Sequence, residues 1–308
     1  MGRPKSQWQL RLEEYFARGF IKLFQALPHR TALAVGAGVG GLFHDLAGVR
    51  REHAVRELRR AFPERSEAWA KATARQVYRH FGMVAVELAR LPKLRGAGLH
   101  RWVIMEGVEH LESAAAAGRG TLVISGHLGN WELGGAWVSN AGYPATYVVA
   151  PQSNSRIEEL LDELRRSAGI EIVKRRDATR QIMKALRRGR FVALLIDQDG
   201  GPGGEFVPFF GRLASTFRGV AVFARKMRPA IIFYSSYRDK EGRIHGRFEP
   251  VEFIPTDDME ADIHNLTADL TARLEAEIRR TPEQWLWLHR RWKTRPPGET
   301  AGENKMTQ

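Results

Sequence analysis

Apolar residues recur at helical spacing between Tyr15 and Leu27. Phe16, Phe20, Leu23, Phe24 and Leu27 form a stripe beside Arg18 and Lys22, which predicts an amphipathic helix able to lie in a membrane interface. Pro28 interrupts it, and Thr31–His44 follows as 14 residues without a formal charge. A spanning helix needs about 20 apolar residues, so this run reads either as part of a buried helical hairpin or as a monotopic anchor. Ser66–Leu91 predicts a long helix with Trp69, Ala72, Val77, Phe81, Val84 and Leu88 on its apolar face, and Val108–Ala117 another, stopped by Gly118. Beyond this point strands and helices alternate. Strands are predicted at Thr121–Ser125, Thr146–Ala150, Glu171–Val173, Phe191–Ile196, Ala230–Tyr234 and Gly246–Phe253. The intervening helices are Trp131–Asn140, one opened by a capping box at Ser155–Glu158, one capped by Asp177 and reaching Arg188, one near Thr216–Met227, and Asp258–Arg280. A Gly/Pro-rich loop is expected over Asp199–Gly211. The pattern predicts an α/β fold: a mostly parallel mixed sheet covered by helices, over residues 50–295. An N-terminal helical membrane-associating segment, 1–49, precedes it, and a flexible tail, 296–308, follows.

Gly36, Gly38 and Gly41 match the dinucleotide fingerprint G-x-G-x-x-G, but that motif needs a strand before it and an acidic residue ending a second strand after it. The following segment, Arg50–Arg60, is charged and helical, so close helix packing explains these glycines better. No cleaved signal is read at the N-terminus, and Met1–Ser6 fits a myristoylation pattern too short to carry weight. Zero cysteines exclude a thiol nucleophile, a disulfide framework and a thiolate zinc site. A net charge of +13 favours anionic partners, among which nucleic acid, anionic membrane, phosphorylated substrates and acidic carrier proteins all remain open.

The chemistry concentrates where charge is scarce. Of the 36 residues between Arg119 and Arg156, only Glu132 is formally charged, and His127 stands five positions before it. Within one regular helix the two would lie about 140° apart, so cooperation requires His127 on the turn after the strand and Glu132 in the first turns of the helix. A carboxylate there can accept from one imidazole nitrogen and leave the other as a general base. The structural alternative is a satisfied core histidine beside a carboxylate that complements the helix N-terminus. Asp197 and Asp199 form no calcium loop, because Gly201 occupies the next ligand position, and no metal site is expected.

His127-Leu128-Gly129-Asn130-Trp131-Glu132 resembles the H-x-x-x-x-[DE] signature of glycerolipid acyltransferases, and more specifically that of bacterial lipid A late acyltransferases. Ala61-Phe62-Pro63-Glu64, Asp197-Gln198-Asp199-Gly200, Phe206–Gly211 and Trp287–Pro296 occur in family order, so the resemblance spans roughly residues 20–297. One departure is Glu57, where the family usually has Asn, which bears on local packing or headgroup contacts. The resemblance implies that His127 takes the proton of an acceptor hydroxyl, that Glu132 orients it, and that the hydroxyl attacks an acyl thioester with no acyl-enzyme. It further implies supporting or substrate-binding roles for Asn130, Arg165, Asp197 and Asp199. No cofactor is implied; an acyl carrier protein thioester or acyl-CoA is the co-substrate, and an anionic lipid A precursor the acceptor. Another glycolipid or a lysophospholipid is the alternative acceptor. Outside the enzymes, the alternative is an inert basic protein of membrane or nucleic acid.

Three basic clusters complete the picture: Arg50–Arg60 behind the apolar run, Lys174–Arg190 with eight Lys or Arg, and Arg290, Arg291, Lys293 and Arg295 interleaved with Trp285, Trp287 and Trp292. Beside an anchor such clusters bind anionic headgroups, and tryptophan favours the membrane interface. No nucleic-acid module or aromatic platform is present in the sequence, so nucleic acid is not expected as a partner. Together with the resemblance, this places the chain at the cytoplasmic face of a bacterial inner membrane. Lys174–Arg190, including Arg175 and Arg176, is expected to dock the carrier.

Overall fold

The computed structural model describes residues 6–174 and 178–298. The myristoylation-like pattern, Arg175, Arg176, the Asp177 cap and most of the tail expected over 296–308 lie outside the described residues. Helix α1 (Gln7–Ala26) starts well before Tyr15, because Ser6 and Gln9 cap each other: the Ser6 Oγ accepts the Gln9 N–H at 3.3 Å and the Gln9 side chain accepts the Ser6 N–H at 2.9 Å. Its apolar residues divide. Phe24 is buried and Phe20 half-buried, whereas Trp8, Leu12, Tyr15, Phe16 and Leu23 are exposed. Helices α2 (His29–Leu46), α3 (Arg51–Ala61) and α4 (Glu67–Arg90) follow. α2 lies against α4 at glycine contacts: a side chain at Gly40 would collide with the Tyr78 carbonyl, and one at Gly82 with the Gly36 carbonyl. Gly38 faces open space and plays no part. The chargeless run is therefore packed along one side, burying Ala32, Leu33 and Ala37, and bare along the other, exposing Val35, Val39, Leu42 and Phe43, with Leu46 just beyond it also exposed. No single described helix is long and apolar enough to cross a membrane; α2 and α3 reach that composition only as a pair bent by 98°.

After the short α5 (Ala97–His100), the chain builds β1 (Val103–Glu106), α6 (Val108–Ala116), β2 (Thr121–Ser125), α7 (Trp131–Asn140), β3 (Ala145–Val149), α8 (Ser155–Ser167), β4 (Glu171–Lys174), α9 (Ala178–Arg187) and β5 (Phe191–Leu195). Then come β6 (Glu205–Phe209), β7 (Arg212–Thr216), α10 (Gly219–Met227), β8 (Ala230–Arg238), β9 (Ile244–Pro250) and α11 (Met259–Arg280). Seven strands form one sheet in the order β1-β9-β8-β2-β5-β3-β4, parallel throughout except for the β8–β9 hairpin. The expected Gly/Pro-rich loop contains β6, which pairs with β7, so the helix expected from Thr216 begins only at Gly219. The cap of α8 is Asn154, one residue before the expected box, with its Oδ1 accepting the Arg156 N–H at 2.9 Å.

One face of the sheet carries Val123, Tyr147, Phe191, Ile232 and Phe248 and is covered through α6 and α7, with α8 at its edge. The other carries Leu122, Ile124, Val192, Leu194 and Phe233 under α9, α10 and α11. The C-terminal stretch 282–295 returns across the molecule as core. Trp285 and Trp287 are each 1% exposed and Trp292 stacks on Phe209, so these tryptophans do not face a membrane interface. Arg291 is likewise buried, donating to the Ser215 carbonyl and to Thr216 Oγ1.

Candidate active site

Strands β2 and β5 are parallel neighbours with Ser125 opposite Leu195, so the residues two positions past each register, His127 and Asp197, emerge side by side at the carboxyl edge of the sheet. This is where open α/β sheets collect ligands. The His127 Nδ1–H donates to Asp197 Oδ1 at 2.8 Å, and the His127 backbone N–H donates to Oδ2 at 2.7 Å. The Trp285 indole N–H donates to the same Oδ2 at 2.8 Å. The carboxylate is sealed, with a side chain 2% accessible, while the imidazole keeps 17% and so can be reached by a substrate. Its second nitrogen, Nε2, is left for that contact. Trp131 packs edge-on against the ring, centroids 4.7 Å apart.

The pair polarises itself. Burial alone pulls the imidazole down, but the charge and hydrogen bond of Asp197, helped by the charge of Glu132, outweigh it and raise His127 above the ordinary histidine value. Burial pushes Asp197 up, yet His127 and the donors around the carboxylate hold it down at about 2. The result is an anchored, more basic imidazole.

Glu132 has a different partner from the one its spacing suggests. It sits in the first turn of α7, 2% exposed, and accepts a two-pronged contact from Arg165: Nη2 to Oε1 at 2.7 Å and Nε to Oε2 at 3.1 Å. Burial pulls Arg165 down, but the charge of Glu132 more than restores it. Glu132 thus acts on His127 through its field, and the hydrogen-bonded carboxylate is Asp197. His127 does sit on the turn and Glu132 in the first turn of α7, but Arg165 occupies the Glu132 carboxylate while the neighbouring strand delivers Asp197 directly to Nδ1.

Asn130 caps α7, its Oδ1 accepting the Leu133 N–H at 3.0 Å while its Nδ2 donates to Glu87 Oε2 at 2.5 Å. Glu87, fully buried on α4, also accepts from Arg238 of β8. Gly129 takes a left-handed φ of 58°, and a side chain there would collide with the Ser236 carbonyl. Asp199 accepts the Thr294 N–H at 3.1 Å and its hydroxyl at 2.8 Å, while the Asp199 N–H donates to His289 Nε2 at 2.9 Å. Asp199 therefore pins the C-terminal stretch over the site. Glu57 is compensated within the protein, pairing with Arg212 at 2.8 Å. Trp285, Glu87 and Arg238 buttress the site in a way the sequence reading did not assign them, because their partners lie 88, 43 and 151 residues away in the chain.

A cavity of about 420 Å³ opens at His127, within the roughly 300–1,000 Å³ typical of ligand pockets. Its inner limb runs between α7 and the sheet along Val123, Gly135, Val138, Ala145, Phe191 and Ala193; its outer rim includes Ala178, Thr179, Ile182, Gln198 and Asp199. Ala193 lies in a central strand and yet is only half-buried, because it faces this space.

A carboxylate-anchored imidazole thus stands at the rim of a largely apolar cavity. The chain belongs to the bacterial lipid A biosynthesis acyltransferase family, whose model matches residues 3–294, and is therefore an acyltransferase. It is 29% identical over 291 residues to the lipid A biosynthesis palmitoleoyltransferase of Escherichia coli (strain K12), covering 93% of each chain. It is also 29% identical to the lipid A biosynthesis lauroyltransferase of the same organism, covering 91% of each. The phosphatidylinositol mannoside acyltransferase of Mycobacterium tuberculosis is 27% identical over 218 residues, covering 69% of this chain and 67% of that one.

Proposed function

We propose that the protein transfers a fatty acyl group from a thioester, carried by acyl carrier protein or coenzyme A, to a hydroxyl of a lipid A precursor. The observation that carries this reading is the His127–Asp197 pair at the mouth of the apolar cavity. The inner limb would take the acyl chain and bring its carbonyl carbon beside Nε2. As the acceptor oxygen attacks that carbon, Nε2 takes the hydroxyl proton, and Asp197 stabilises the imidazolium that forms. The C–S bond then breaks, the proton passes to the departing sulfur, and a free thiol and a new ester remain. No covalent enzyme intermediate is involved. Glu132 and Arg165 hold the helix and field around the base.

The exposed apolar residues of α1 and α2 support work at a bilayer surface, with the two helices lying in the interface. We place the enzyme at the cytoplasmic face of the inner membrane, where a cytosolic thioester and a membrane lipid meet. The test is thioester consumption by the purified protein with lauroyl-loaded carrier protein or lauroyl-CoA and a lipid A precursor, read by mass spectrometry of the lipid. A product heavier by one acyl group, absent with His127→Ala, is expected. Thiol release without an acylated lipid A precursor, or turnover by His127→Ala near that of the unmodified protein, overturns the reading; a product on another glycolipid reassigns the acceptor.

A further inference from the structure

Helix α9 has two unlike edges. Ala178, Thr179 and Ile182 line the rim of the cavity, and Ile182, Ala185 and Leu186 are buried against the sheet. The outward edge bears Arg180, Lys184 and Arg187, followed by Arg188, all exposed. None of these four forms an ion pair among the described residues. The neighbouring cations of the same run differ: Lys174 is held by Glu158 and Asp162, and Arg190 by Glu171 at 3.1 Å. Arg180 and Lys184 stand at i, i+4 spacing, a like-charge arrangement that weakens a helix, while Lys184 and Arg187 in the last turn complement its dipole. The row as a whole is left without a counter-charge among the described residues.

We propose that α9 docks an acidic carrier protein and so presents its thioester to the cavity rim. This rests on the acyl-transfer reading above and names the partner of that same site. Membrane headgroups would also suit four cations, but the architecture favours a protein. α1 packs on α4 and α8, and an Arg156–Glu14 pair at 3.0 Å ties it there. α9 lies over one face of the sheet, with α10. The apolar stripe of α1 and α2 rests on α4, whereas the cationic row of α9 rests on β4, β5 and α10, so the two are separate surfaces. A soluble acidic partner can reach the second while the first meets lipid. Charge of this kind acts mainly on encounter rate and is screened by salt.

The test reverses the row with Arg180→Glu, Lys184→Glu, Arg187→Glu and Arg188→Glu in the full chain, all at exposed positions. With lauroyl-loaded acyl carrier protein at low salt, kcat/KM should fall at least about tenfold, while lauroyl-CoA loses no more than about threefold. In the unmodified protein, only the carrier-bound donor should show strong salt dependence. Fluorescence anisotropy of labelled holo carrier protein measures docking without turnover: tight binding that the reversal abolishes supports the dock even if no acyl transfer is detected, which separates the two readings. Equal losses for both donors, unchanged carrier binding, or loss only of sedimentation with anionic vesicles would each overturn the proposal.

Discussion

Asp197 fixes both the direction and the basicity of the imidazole it holds, so the two residues make separable predictions. His127→Ala should lower kcat by at least about 100-fold, the scale of general-base catalysis, with an unchanged circular dichroism spectrum. Since the base must be neutral to act, activity should rise with pH through the raised value of His127. In Asp197→Asn the anionic partner is gone, so the acid limb of the pH–rate profile should move to lower pH while the plateau falls. A limb that stays in place would mean that another group titrates. Arg165→Ala leaves Glu132 buried without its counter-charge and should cost about 3–5 kcal/mol by urea unfolding; the double variant Glu132→Gln/Arg165→Met should recover much of that loss. At this scale the sequence was half readable. An acid isolated in 36 otherwise uncharged residues marked Glu132 as unusual, and His127 with it. The resemblance named Asp197 and Arg165, but spacing could not pair them, since Asp197 arrives from the next strand and Arg165 from another helix, 70 and 33 residues further on.

Among the elements, the β2–α7 turn is held from behind by a chain of buried polar contacts, Arg238 to Glu87 to Asn130. Glu87→Gln keeps the shape but removes the charge that Arg238 and Asn130 share. It should reduce stability by about 3 kcal/mol or more and, on the proposed reading, lower kcat more than it changes KM, because the turn carries the proposed base while most of the cavity lining lies on other elements. Denaturant unfolding and steady-state kinetics on the same preparation check both. The alternating strands and helices from Thr121 onward were legible because each buried strand is a short apolar run closed by a turn residue. The β6–β7 hairpin was not, since glycines and Pro208 mask strands whose pairing is with each other. The tryptophans of the C-terminal stretch misled for a related reason: aromatic residues among arginines look alike at a lipid interface and in a core that also buries Arg291.

For the whole molecule, the exposed stripe of α1 and α2 predicts that Leu42→Ser, Phe43→Ser and Leu46→Ser together reduce sedimentation with anionic vesicles several-fold, at high as well as low salt, without altering thermal unfolding much. These side chains already face outward, whereas deleting residues 1–49 would strip α4 of its glycine-lined partner and confuse binding with folding. The N-terminal position of this stripe and the late position of Trp285 also set an order in time. Asp197 cannot receive its indole hydrogen bond until 88 more residues have been made. At roughly 5–20 residues per second, that interval lasts about 4–18 s. A ribosome therefore carries the exposed stripe of α1 and α2 long before it carries the indole that completes the surroundings of Asp197; on the proposed reading, the chain could meet a bilayer before it could spend a thioester on water.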